Sequence, residues 1–216
     1  MSDINNPGAN WTSIPADIFW GEIAPCDHVV QVYENDAYFL DALAAFVIGG
    51  FEAGETSIVI ATDRHLKALS SLLLKNGYEV GQLIARNLYI PVDANETLAR
   101  FMINGWPDET LFAETVSALL NKAEYGKRKI RAFGEMVAIL WAEGLNGATV
   151  HLEHLWNNFL AQKKFPLFCA YPKSGFTDDM GSSIYHICRE HSKLISGSAQ
   201  EPGHVIYKDA ANRPNS

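Results

Sequence analysis

The chain has 216 residues, 48% of them hydrophobic and 19% charged, with a formal net charge of −8. That mixture belongs to an ordinary globular protein and excludes wholesale disorder. The acidic balance argues against a dedicated nucleic-acid binder, which would carry a basic footprint.

The first residues, MSDINNPGANWTSIPAD, lack the basic and apolar regions of a signal peptide. The longest apolar runs, such as 137–142, fall far short of the ~20 residues that cross a bilayer. A cytoplasmic protein without membrane contact is therefore expected. Cys26, Cys169 and Cys188 are far apart. No CxxC pair points to zinc, and no disulfide framework is expected.

Residues 1–27 are rich in Asn, Pro and Gly and read as an irregular leader. In 28–33 (HVVQVY) the β-branched run predicts a strand, after which Asp36 caps a helix over 37–52 with Phe39, Leu43, Phe46 and Val47 at helical spacing. Residues 56–61 (TSIVIA) read as a strand buried on both faces. Asp63 caps the next helix, which runs to Leu74 and ends at Asn76-Gly77. A third strand, 87–92, is weakened by Pro91. Asp93 opens a short helix to Ile103, and 105–108 is a turn from which Asp108 caps a helix over 109–125. A fourth strand covers 129–133 and leads through Gly134 into the apolar stretch 135–142. Helix 148–162, strand 166–171 and a last helix 181–191 complete the body. The small polar residues of 196–216 predict a loose tail.

Short apolar strands alternating with longer helices give βαβ units and a mostly parallel sheet with helices on both faces, in one domain over 28–195. Ligands of such sheets sit at the carboxyl ends of the strands. That rule selects the loops 33–36, 61–65, 92–95, 133–137 and 170–176. No G-x-x-x-x-G-K-[ST] occurs: the nearest text, Gly50 to Thr56, has Glu55 where a phosphate loop needs lysine. The turn after the first strand holds no glycine, so G-x-G-x-x-G is missing as well.

Within the selected loops, Glu135 is a lone carboxylate at the end of an interior strand. It either faces a pocket, or pairs with Arg131, or caps a helix start. Thr62-Asp63-Arg64-His65 puts a polar loop at a helix N-terminus, where an anion or polar ligand group can be held or where Asp63 is only a cap. His151 and His154 lie one helical turn apart, as two metal ligands could, but no third ligand is near in sequence and a buried, paired Glu153 between solvent-facing histidines is favoured. His186, Cys188 and His191 could join Cys169 in a thiolate or zinc site, but an inert core thiol is the favoured reading. Lys127, Arg128, Lys129 and Arg131 read as a solvated turn before an edge of the sheet.

The order of these segments resembles a known family. The segments are His28-x-x-Gln31-x-Tyr33, Gly54-Glu55 through Val59-Ile60-Ala61-Thr62 to His65, Phe133-Gly134-Glu135-Met136-Val137-x-x-Leu140-Trp141, Leu152-Glu153-x-x-Trp156-Asn157, Phe168 to Pro172, and His191. Together they resemble the MEDS domain, the methanogen/methylotroph, DcmR sensory domain, over about residues 28–195. The resemblance implies a signal-input domain of RecA/KaiC-like fold without a working phosphate loop, sensing small carbon compounds. It implies His28, Tyr33, Thr62, His65, Glu135, Trp141, Glu153, Tyr171 and His191 as ligand-binding candidates and gives no catalytic residue. Family members usually carry a DNA-binding helix-turn-helix or a histidine kinase. Nothing after Leu194 reads as either.

The expectation is therefore a stand-alone sensor that binds a small molecule and regulates a separate histidine kinase or transcription regulator. It needs no cofactor and no metal, contacts no nucleic acid, and is compatible with a homo-oligomer. Two alternatives stand beside it. One is a ligand-free, degenerate nucleotide-binding-fold module that acts through surface contacts, and the other is an enzyme using Glu135, a histidine and Cys169.

Overall fold

The computed structural model describes residues 11–15, 20–21, 23–124, 127–175, 187, 190–198 and 201–208. Five strands fall where the apolar runs place them: β2 (His28–Tyr33), β3 (Thr56–Ala61), β4 (Tyr89–Asp93), β7 (Ile130–Gly134) and β8 (Leu167–Pro172). With β9 (Lys193–Ser198) they form a parallel sheet in the order β9-β2-β8-β7-β3-β4. Pro91 is tolerated because β4 is an edge strand that pairs with β3 alone.

The helices are α1 (Asp36–Glu52), α2 (Asp63–Lys75), α3 (Val80–Ala85), α4 (Ala94–Ala99), α5 (Glu109–Ala123), α6 (Met136–Ala142) and α7 (Asn146–Lys163). Alternation along the strands splits the core in two. Val29, Val59, Phe133 and Phe168 face α1 and α2 through Phe39, Phe46, Leu69 and Leu73. Ile58, Ile60, Ala132 and Leu167 face α5 and α7 through Phe112, Val116, Leu152 and Trp156. The expected three-layer α/β architecture is the one observed.

Several local expectations are corrected. Asn35, not Asp36, caps α1, its side chain accepting from the Ala37 N–H. Thr62 stands at the N-cap of α2, and Asp63 pairs with Lys67 instead. Asp93 and Asp108 cap as expected. The helix after Asp93 stops at Ala99, because Asn104-Gly105, both at positive φ, turns a small hairpin between β5 (Met102–Ile103) and β6 (Trp106–Pro107). Arg131 lies in an inner strand, 1% exposed, and is no part of a solvated turn. Its Nε donates to Glu55 at 2.7 Å, its Nη1 donates to the Phe46 carbonyl at 2.6 Å, and the guanidinium lies over the Phe46 ring.

Beyond the expected body, β1 (Trp11–Pro15) and β10 (Glu201–Lys208) extend the sheet in an antiparallel order, β1-β10-β9. Leader and tail therefore carry regular backbone where the composition predicts irregular segments. Each supplies the hydrogen-bonding partner of the other, which no local signal reports. The helix expected over 181–191 lies largely outside the described residues, as do His186 and Cys188. Among the described residues no helix is long and apolar enough to cross a membrane.

Candidate functional site

The chain leaves β3 for β4 on one side and returns through α5 to place β7 on the other side of β3. This reversal sets the carboxyl ends of β3 and β7 side by side, the position at which open α/β sheets take their ligands. Glu135 follows β7 directly, and its N–H donates to the Ile60 carbonyl at 2.9 Å, which fixes it beside the end of β3. It stands at the N-cap of α6, but the side chain makes no cap bond. Its carboxylate turns instead to the start of α2. There it accepts from the Thr62 N–H at 2.8 Å, from Thr62 Oγ1 at 3.2 Å and from His65 Nδ1 at 2.7 Å.

The anion held at that helix N-terminus is thus the chain's own carboxylate. The pairing with Arg131 is corrected, since Arg131 sits toward the amino end of β7 with Glu55. The hydrogen bond that His65 donates to Glu135 raises the His65 pKa, and burial opposes it. On its far side, His65 Nε2 lies 3.8 Å from Asp36, which itself pairs with Arg64. The Phe39 ring stands edge-on to His65 at 5.1 Å and stacks on Tyr33 at 4.6 Å, so Tyr33 closes the apolar flank. Burial raises the Tyr33 pKa. Thr62, His65, Glu135 and Tyr33 form one constellation, to which sequence reasoning had not joined Asp36 and Arg64.

The other five candidates lie together on the opposite face of the sheet. His28 and Tyr171 project there from β2 and β8, and Glu153 and Asn157, one turn apart on α7, project toward them. His191 arrives on the segment entering β9, where Ser192 holds the backbone of His28 at both its N–H and carbonyl. The Tyr171 hydroxyl donates to Glu153 Oε1, and Trp141 stands edge-on to Tyr171 at 6.3 Å. His28 Nε2 lies 3.4 Å from Cys169 Sγ and 3.4 Å from Glu153 Oε2, while His191 Nε2 lies 3.5 Å from Glu153 Oε1. All four of His28, Glu153, Cys169 and His191 are buried. Burial lowers the His28 pKa to about 4, raises Glu153 to about 8 and raises the Cys169 thiol.

Sequence reasoning weighed Cys169 without placing it beside His28, because contacts between residues 141 positions apart leave no local trace. As expected, His154 is solvent-facing while Glu153 is buried. His151 stacks on Trp106 at 5.1 Å.

Fold and site together define a three-layer α/β domain of KaiC-like architecture, with a glycine-free turn after its first parallel strand. Among solved structures it is similar to a KaiC-like protein from the hyperthermophilic archaeon Pyrococcus horikoshii OT3, with a TM-score of 0.55 at 10% identity, covering 85% of this chain and 79% of that one. No curated protein sequence matches the chain. The family model of the methanogen/methylotroph, DcmR sensory domain matches residues 27–192, and the chain belongs to this MEDS family.

Proposed function

We propose that the chain is a signal-sensing domain that binds a small carbon compound at the carboxyl ends of β2, β3 and β7. It passes the signal to a separate histidine kinase or transcription regulator and catalyses no reaction. Membership of a sensory-domain family supports the sensing role.

The observation that carries the choice of site is the Glu135–Thr62–His65 constellation. It is a buried, charge-bearing group at the topological switch, built from the ends of adjacent strands and flanked by aromatic rings. A weakly polar ligand can exchange hydrogen bonds with Glu135 and His65 while its apolar part meets Phe39 and Tyr33. Displacing the Glu135–Thr62 bonds frees the start of α2, which gives the signal a path to the surface.

A phosphate ligand fits poorly. The turn after β2 presents the carboxylates of Glu34 and Asp36, and the Asn35 side chain occupies the Ala37 N–H at the start of α1.

The test is a thermal-shift and calorimetric screen of one- to few-carbon alcohols, amines and halides on wild type and Glu135→Gln. A compound that stabilises wild type and binds the folded variant at least about tenfold more weakly, a loss of about 1.4 kcal/mol, supports the reading. Equal affinity for both proteins overturns it.

A further inference from the structure

We infer that His28, Glu153, Cys169 and His191 form a closed, four-coordinate site for a divalent transition-metal ion of the zinc class. This goes beyond the sensory reading and is independent of it, because the cluster lies on the face of the sheet opposite Glu135.

Three observations carry it. First, one ligand atom from each of the four buried residues lies within 4.8 Å of all the others. His28 Nε2 lies 3.4 Å from Glu153 Oε2, long for a hydrogen bond between nitrogen and oxygen, whose usual range is about 2.7–3.2 Å, and 3.4 Å from Cys169 Sγ. Both match the edges of a tetrahedron about 3.3–3.6 Å long, which follow from metal–nitrogen and metal–oxygen bonds of about 2.0–2.1 Å and a metal–sulfur bond of about 2.3 Å.

Second, both imidazoles are fixed in the same tautomer. His28 Nδ1 donates to Asn157 Oδ1 at 2.8 Å, and Asn157 cannot be turned over, because its Nδ2 donates to the carbonyl and to the carboxylate of Glu190, both at 2.9 Å. His191 Nδ1 donates to the Ile187 carbonyl at 2.6 Å. Each ring therefore turns the lone pair of Nε2 toward the cluster, the orientation that outer hydrogen bonds impose on metal-bound histidine.

Third, Glu153 Oε2 is buried and accepts no hydrogen bond among the described residues, while it faces the lone pair of His28 Nε2. A cation seated among the four groups would satisfy that buried oxygen, which meets no donor among the described residues.

The charges also close. When the metal binds, the Cys169 S–H bond breaks and its proton leaves to solvent while a metal–sulfur bond forms. Thiolate and carboxylate then neutralise a 2+ ion between two neutral imidazoles. Thiolate with imidazole selects zinc-class ions over magnesium or calcium, which take oxygen ligands. With all four positions filled by protein, the ion would tie β2, β8, α7 and the segment entering β9 together, as structural sites do.

The full chain should be produced in medium supplied with Co²⁺ and purified without chelator, then examined by metal analysis and absorption spectroscopy. The expected result is about one Co²⁺ per chain, with the visible bands of a tetrahedral ion and a thiolate-to-cobalt charge-transfer band, both lost on exchange with Zn²⁺. Cys169→Ser should lack the charge-transfer band. Asn157→Ala, which leaves all four ligands in place, should keep the band and bind about 10- to 100-fold more weakly. Metal-free wild type, or bound Co²⁺ without a thiolate band, overturns the assignment and leaves the cluster as a proton-sharing network. Because wild type alone decides, a variant that fails to fold does not protect the proposal. The sensory reading is scored separately, by organic ligands and Glu135.

Discussion

Replacing Glu135 by Gln tests the strand-end constellation with the least change of shape. The carboxylate accepts three hydrogen bonds, two from Thr62 and one from His65. An amide offers one oxygen and turns its NH₂ group toward either the Thr62 N–H or the His65 Nδ1–H, both donors. One charge-assisted bond is lost, and a buried donor is left facing another. Charge-assisted bonds contribute about 1.5–3 kcal/mol and an unsatisfied buried donor costs about 1–3 kcal/mol, which puts the substitution at about 3 kcal/mol. For a chain of this length that lowers Tm by about 6–12 °C. It leaves folded protein to measure, since domains are stable by about 5–15 kcal/mol.

The pH dependence is more specific than the loss itself. The bond to Glu135 raises the His65 pKa against the opposing effect of burial, so the folded chain holds the ring proton more tightly than the unfolded chain. Wild type has this stabilisation in full below the unfolded value of about 6.5 and loses it as pH rises through the folded value. In the variant the bond and the charge of Glu135 are gone, while burial still lowers the ring pKa and Asp36 still raises it, so this contribution shrinks. Urea unfolding of both proteins from about pH 5.5 to about pH 9 should show the deficit of the variant largest in acid and shrinking toward base. A deficit under about 0.5 kcal/mol, or one that does not change with pH, refutes the assignment of His65 and Glu135 as a coupled pair.

Three further outcomes follow from the packing. A Cβ at Gly50 would lie 2.6 Å from Ser57 Oγ and 2.7 Å from Arg131 Cδ, on a guanidinium already held by Glu55 and Phe46. Gly50→Ala should therefore lower the stability read from urea unfolding by about 1–3 kcal/mol despite alanine's better helix propensity, and an unchanged stability would show that α1 shifts freely. Glu55→Gln leaves the buried Arg131 charge without its anion and should cost about 3 kcal/mol, read by calorimetry, whereas a wild-type Tm would mean that the Phe46 carbonyl and ring suffice. Ending the chain after Ser198 removes β10 and bares β9 as a sheet edge, so light scattering should report self-association. A monodisperse monomer would show that the β1-β10 extension does not guard that edge.

The legible part of this fold is the part whose signal is local. The run 56–61 is buried at every position and reads as an interior strand because 58–61 is continuously apolar, while the hydroxyls of Thr56 and Ser57 donate to the backbone carbonyls of Asn87 and Val47. Strand ends select Thr62, His65 and Glu135 in the same way, since a carboxylate directly after an apolar strand has few places to go. The pairing of Glu135 with His65 instead of Arg131 was not legible. It depends on β7 lying beside β3 in the register Ile60 to Gly134, which sends the ends of the two strands together and Arg131 toward the other end. The short hairpin shows a local signal overruled by a stronger one, since Asn104-Gly105 marks a turn while the capped helix before it suggests that the chain runs on. The pairing of 11–15 with 204–208 joins the two ends of the described chain and has no sequence-local cause.

The nine site candidates form two clusters, and the period of the strand is the reason. β2 carries His28 and Tyr33, an odd number of positions apart, so one projects toward α7 and the other toward α1. β8 places Cys169 and Tyr171, two positions apart, on the α7 side with His28. A reading in chain order merges these residues, because they share strands and lie close in sequence. The sheet separates them: the constellation at the strand ends lies beside the start of α2, while the His, Cys and Glu donors are buried between the sheet and α7. Groups divided by a sheet and sharing no partner should act independently. On the two proposals made above, the charge at Glu135 would meet a ligand, and the donors around Glu153 would hold the elements beneath it through a metal ion.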